Sequence, residues 1–138
     1  ADLSPELSRN FRGLRLWLPL LFHGKQIFKD ALREKILLTQ YIYNAFKKFS
    51  FVELGPPPEL TVFTFRFIST KLQQDKFNEN IINAMHDDGR VFISSTTINK
   101  KLWLRVAILS FRTHLKEIDL LIEMVEKHFN ASIESSAG

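Results

Sequence analysis

No cysteine occurs in the 138 residues. That absence removes disulfides, thiolate zinc sites and thiol nucleophiles together, and it suits a reducing compartment, so the cytoplasm is the expected location. Glycine is scarce. Gly13, Gly24, Gly55, Gly89 and Gly138 stand isolated, which leaves no glycine-rich phosphate loop and no indication of nucleotide binding. No apolar run reaches the roughly 20 residues of a membrane span. The longest, Leu14 to Phe22, is interrupted by Arg15 and contains Pro19, and no small-residue cleavage site follows it as in a secretory signal. Charge of one sign is not in large excess. The 19 Lys and Arg against 15 Asp and Glu leave +4, which fits scattered solvated lysines better than a nucleic-acid partner. An initiator methionine is also absent. The chain opens Ala1-Asp2, and the expectation is a cut with further chain before it.

What remains fits one folding unit. A chain of 138 residues, 45% hydrophobic and 25% charged, is the size and composition of a soluble domain with a packed core. Residues 1–24 read as a connecting segment, residues 25–129 as the domain, and residues 130–138 as a frayed tail. From Lys25 to Phe49, Ile27, Ala31, Leu38, Ile42, Ala45 and Phe49 fall at helical spacings after Gly24, which predicts one long amphipathic helix. Phe51 to Leu54 is a short strand candidate, and Gly55-Pro56-Pro57-Pro58 then forces an extended connection. Thr61 to Ile68 alternates, with Phe63, Phe65 and Phe67 on one face and Val62, Thr64, Arg66 and Ile68 on the other.

Asp75 is the expected cap of a second helix carrying Phe77, Ile81 and Met85, which stops at Asp87-Asp88-Gly89. Strands are expected over Val91 to Thr96 and Leu102 to Leu109, joined by a hairpin turn at Ile98 to Lys101. Thr113 is the expected cap of a last helix with the stripe Ile118, Leu121, Ile122, Val125 and Phe129. Helix, strand, strand, helix, strand, strand, helix predicts an α+β fold: an antiparallel sheet of about four strands with helices packed on one face. The other face of the last strand, Trp103, Arg105, Ala107 and Leu109, reads as unusually apolar for a solvated surface and calls for a covering partner.

Few residues point to chemistry. His23, His86, His114 and His128 lack metal-site spacing, so no metal is expected. Ser94, Ser95 and Ser110 have no nucleophile elbow around them. Asp87-Asp88 reads as a helix end in solvent. The strand phenylalanines lack the RNP-type motif of an RNA-binding sheet, and core packing is their expected role. Arg105 is different: it sits mid-strand beside Trp103, where an unpaired guanidinium is costly. It requires a carboxylate, either within the fold or from a substrate or cofactor anion.

Three stretches together, Leu7 to Trp17 (LSRNFRGLRLW), Asp88 to Ser95 (DGRVFISS) and Leu104 to Thr113 (LRVAILSFRT), resemble the C-terminal part of group II pyridoxal-phosphate-dependent decarboxylases. That family includes the aromatic-amino-acid, histidine, glutamate and diaminobutyrate decarboxylases, and the resemblance runs from about Leu3 to Phe129. It implies the small C-terminal domain of the aspartate-aminotransferase-type fold. The large domain, which carries the cofactor lysine, the aspartate at the pyridine nitrogen and the stacking histidine, would lie outside this chain. The resemblance assigns Arg105 to the small-domain arginine that meets a substrate carboxylate. Arg9 and Arg12 match basic positions on the active-site side, and Asn10 stands where many relatives carry a second arginine.

No catalytic residue of the family falls in this segment. The implied role is to close the active site and position an amino-acid substrate in a homodimeric enzyme using pyridoxal phosphate, the segment being inactive alone. The implied partners are the chain's own N-terminal large domain, a second subunit and the amino acid, with neither nucleic acid nor membrane. A free-standing interaction or regulatory domain of the same fold is the alternative, and a basic nucleic-acid binder ranks last.

Overall fold

The computed structural model describes residues 11–69 and 73–135. They form seven elements in the expected order: α1 (Leu14–Phe46), β1 (Val52–Leu54), β2 (Val62–Phe67), α2 (Gln74–Asp88), β3 (Ser94–Ile98), β4 (Lys101–Ala107) and α3 (Leu115–Ser135). The chain divides into two compact units, residues 1–33 and residues 34–138. In the first, helical structure begins at Leu14, ahead of the expected Lys25, and includes Pro19. Pro19 lies past the first turn, so it withholds the amide that would bond the Arg15 carbonyl and its ring crowds that carbonyl, a local cost to this helix. Gly24 interrupts the helix with φ 71° and ψ 170°, a conformation that side chains rarely adopt. Phe11, Leu16, Trp17, Leu21 and Phe22 of this unit are exposed.

The second unit is the expected two-layer α+β fold. Its four-stranded sheet has the order β1-β2-β4-β3, antiparallel throughout. Phe63, Phe65 and Phe67 are buried in the core, where period-two alternation places all three on the helix-covered face. Phe46 of α1 meets Phe65 edge-on at 4.9 Å, and Phe129 of α3 stacks on Phe51 at 4.0 Å and Phe67 at 5.9 Å. Ile81 and Met85 of α2 and Leu104 and Val106 of β4 complete the layer. Asn78 ties α2 to the end of β2: its side chain accepts from the Phe67 amide at 2.8 Å and donates to the Phe67 and Gln74 carbonyls.

Several local expectations are corrected. Asp75 caps nothing; Gln73 holds the cap position of α2 without a side-chain hydrogen bond. Thr113 does not cap α3 either. The helix starts at Leu115, so His114 precedes it, and the Glu117 carboxylate accepts the His114 amide at 2.8 Å, half of a capping box. α2 does end at Gly89, with φ 73° and its amide donating to the Met85 carbonyl. β3 begins at Ser94 and not at Val91, because β4 pairs with it only from Arg105 toward Lys101. The final helix continues past Asn130 to Ser135.

Candidate functional site

The sheet face turned away from the helices holds the chemistry. The register puts Thr64, Arg105 and Ser94 in one row across β2, β4 and β3, with Glu53 opposite Arg66 in the next row across β1 and β2. Trp103, opposite Thr96, continues the face. The face expected to be apolar is therefore studded with hydroxyls and two guanidinium groups.

The two arginines differ in environment. Arg66 is buried, 4% exposed. Its Nη2 donates to Asp75 Oδ1 at 3.2 Å, its Nε lies 3.7 Å from Glu53 Oε2, and its guanidinium sits 5.6 Å from the Trp103 ring centre. Two carboxylates and an aromatic face compensate this charge. The same Asp75 oxygen accepts the Leu102 amide at 3.2 Å, which ties the start of α2 to the start of β4. The buried arginine that required carboxylates is thus Arg66, a position the sequence reading passed over. The Glu53–Arg66 register and Asp75's place nine residues on were the signals, but only the fold brings them together.

Arg105 is exposed. Its Nε donates to Ser94 Oγ at 3.0 Å, and no carboxylate of the described residues lies within 4 Å of its guanidinium. The structural ion pair considered for it in the sequence is absent among the described residues. Its cation faces solvent, flanked by Thr64 and Ser94. Arg12 is also exposed, whereas Arg9 and Asn10 fall outside the described residues.

Other titratable clusters serve the fold. Of the pair expected to end the helix in solvent, Asp87 is exposed as expected, whereas Asp88 is mostly buried, and its Oδ2 lies 2.9 Å from Arg90 Nη2 and 3.6 Å from both Lys127 Nζ and His128 Nε2. The Arg90 hydrogen bonds, aided by the charges of Arg90, Lys127 and His128, hold the Asp88 carboxyl far below its usual range against the opposing effect of burial. Glu34 Oε1 lies 2.7 Å from His114 Nδ1, and hydrogen bonds from Lys35 and His114 lower its pKa. Among the described residues no His, Cys, Asp and Glu group could hold a metal, and no helix is long and apolar enough to cross a membrane. A cavity of about 210 Å³ opens where β4 meets α3, between Val91, Ile93, Val106, Ile108, Ile118 and Leu121. Its charged members are engaged elsewhere, Arg90 with Asp88 and Glu117 with the His114 amide.

The described residues do not by themselves form a holder for an aldehyde cofactor. Lys35 is the buried amine among them, and its protons are directed to the Thr113 carbonyl at 2.6 Å, the Phe111 carbonyl at 3.5 Å and Glu34 at 2.8 Å. A lysine so engaged is a structural tie between α1 and the β4–α3 connection.

Comparison with known proteins places this face in context. No family model matches the chain. In sequence it is 27% identical over 117 residues to an aromatic-L-amino-acid decarboxylase of Bacillus atrophaeus, covering 82% of this chain and 24% of that protein. It is 28% identical over 128 residues to a phenylacetaldehyde synthase of Arabidopsis thaliana, covering 88% and 26%. In structure it superposes on tryptophan decarboxylase of Catharanthus roseus with a TM-score of 0.83 at 22% identity, covering 90% of this chain and 26% of that one. The chain spans about a quarter of the length of the curated relatives it matches. It is similar to aromatic-amino-acid decarboxylases in sequence and shares its fold with group II pyridoxal-phosphate decarboxylases, enzymes of the aspartate-aminotransferase-type fold. The resemblance read from the three sequence stretches, and the fold class it implied, are borne out.

Proposed function

We propose that this chain is the C-terminal small domain of a pyridoxal-phosphate-dependent decarboxylase of aromatic amino acids. Its task is to present Arg105 to the substrate carboxylate and help close the active site. The observation that carries this reading is the contrast on one sheet face: Arg66 is compensated by Glu53 and Asp75, while among the described residues the guanidinium of Arg105 has a single hydroxyl partner and no carboxylate. An arginine with its terminal nitrogens open is suited to two-point recognition of a carboxylate. Pyridoxal phosphate, when bound by the remainder of the enzyme, supplies the electron sink for loss of carbon dioxide. The residues of this domain orient substrate and exclude water. Alone the domain is inactive; in the cell it works within a cytoplasmic homodimer, joined to its own large domain.

The test is to express the complete chain that carries these residues, record its cofactor absorbance and measure carbon dioxide release from aromatic amino acids. Turnover that weakens in Arg105→Ala, through a raised KM, is the expected result. A complete protein that binds no pyridoxal phosphate would sink the reading. Relatives named as aldehyde synthases, from Arabidopsis thaliana and Rhodiola rosea, favour a second reaction on the same scaffold, and product analysis separates amine from aldehyde.

A further inference from the structure

We propose that Ser94 is a positioning residue for Arg105, fixing the guanidinium so that its Nη1–Nη2 edge is the one offered to a carboxylate. This rests on the reading of Arg105 as the carboxylate-binding residue. Arg105 and Ser94 are directly opposed in the β3–β4 register, where side chains stand close enough to interact across the strands. Ser94 Oγ accepts from Arg105 Nε at 3.0 Å. The same oxygen also lies 3.5 Å from the Arg105 carbonyl oxygen, a long contact, so the Nε hydrogen bond is the one that orients the pair.

The geometry matters because guanidinium has two usable edges. A carboxylate can approach along Nε and Nη2 or end-on along Nη1 and Nη2. With Nε occupied by the serine hydroxyl, the end-on edge remains. The hydroxyl is neutral, so it orients the cation without cancelling its charge, unlike the carboxylates at Arg66. A long, exposed side chain held in its binding orientation before the ligand arrives loses less freedom on binding.

The experiment compares Ser94→Ala, Ser94→Thr, Arg105→Ala and the Ser94→Ala/Arg105→Ala double variant in the complete enzyme. Each is assayed for amino-acid KM and kcat, and for inhibition by the corresponding amine, which lacks the carboxylate. Loss of one solvent-exposed hydrogen bond from the guanidinium predicts that Ser94→Ala raises KM about three- to tenfold. The expected kcat is little changed, amine inhibition is unaltered, and Ser94→Thr, which restores a hydroxyl, behaves as wild type. In the double variant Ser94→Ala adds nothing to Arg105→Ala. A Ser94→Ala enzyme with unchanged KM beside a defective Arg105→Ala enzyme overturns the positioning role alone. Fully additive effects, or an equal loss of amine affinity, overturn it as well by marking Ser94 as a residue of the fold. An Arg105→Ala enzyme with normal KM overturns the reading of Arg105 itself, and this proposal with it.

Discussion

Among single residues, the decisive contrast is between two arginines that a strand pattern cannot rank. Arg66 and Arg105 both interrupt apolar runs, and the sequence reading marked Arg105 as the one requiring a carboxylate. The structure gives the carboxylates to Arg66, buried under Trp103 between Glu53 and Asp75. Removing one partner of a buried charge leaves the other uncompensated, and the penalty here is moderated because Asp75 is half exposed. Asp75→Ala should therefore cost about 1–3 kcal/mol of stability, since it withdraws an acceptor from both Arg66 and the Leu102 amide. Denaturant unfolding measures it. A loss under about 0.5 kcal/mol would mean that Glu53 and solvent suffice for Arg66.

The secondary elements were legible in kind and order because their signals are local: a 3.6-residue stripe in α3, period-two phenylalanines in β2, glycine after α2. Their ends were less legible. Caps at Asp75 and Thr113 obeyed residue preference, but Asp75 is claimed by Arg66 and Leu102, and the α3 start is set by Glu117 reaching the His114 amide and Lys35 holding the Thr113 carbonyl. Leu102 and Lys35 lie far along the chain from the residues they engage, whereas Glu117 is a local partner that the residue preference for Thr113 obscured. The β3–β4 hairpin shows a local strain that can be relieved. Asn99 and Lys100 have φ 51° and 62° between the paired residues Ile98 and Lys101, a two-residue turn with both central residues in the left-handed region. Glycine is favoured at the second position, so Lys100→Gly should raise stability by about 0.5–1 kcal/mol, read as a higher unfolding temperature. An unchanged or lower value would show that Lys100 contributes more through its side chain than its backbone costs.

At the scale of the whole molecule, acid sensitivity follows from three carboxylates. Hydrogen bonds from Arg90 to Asp88, from Lys35 and His114 to Glu34, and from the backbone amides of His114 and Glu117 to the Glu117 carboxylate lower each pKa. A carboxyl group that binds its proton more weakly when folded stabilises the fold above its unfolded pKa. That contribution is lost as pH falls through the folded value. With ordinary carboxylates near about 4, the unfolding temperature should decline progressively below about pH 5, and these groups should add no slope between pH 6 and 8. Asp88→Asn should flatten the acid limb in a pH series of thermal melts; an unchanged limb would remove Asp88 as a contributor.

The sequence by itself determined the fold class, the element order and the resemblance to group II decarboxylases, because hydrophobic period, turn residues and motif blocks are properties of neighbouring residues. Only the tertiary structure decided which arginine is compensated and which stands open, and that Ser94 lies beside the open one. Those facts depend on strand register and on the packing of α2 against the central strands β2 and β4, which join residues that the chain keeps apart.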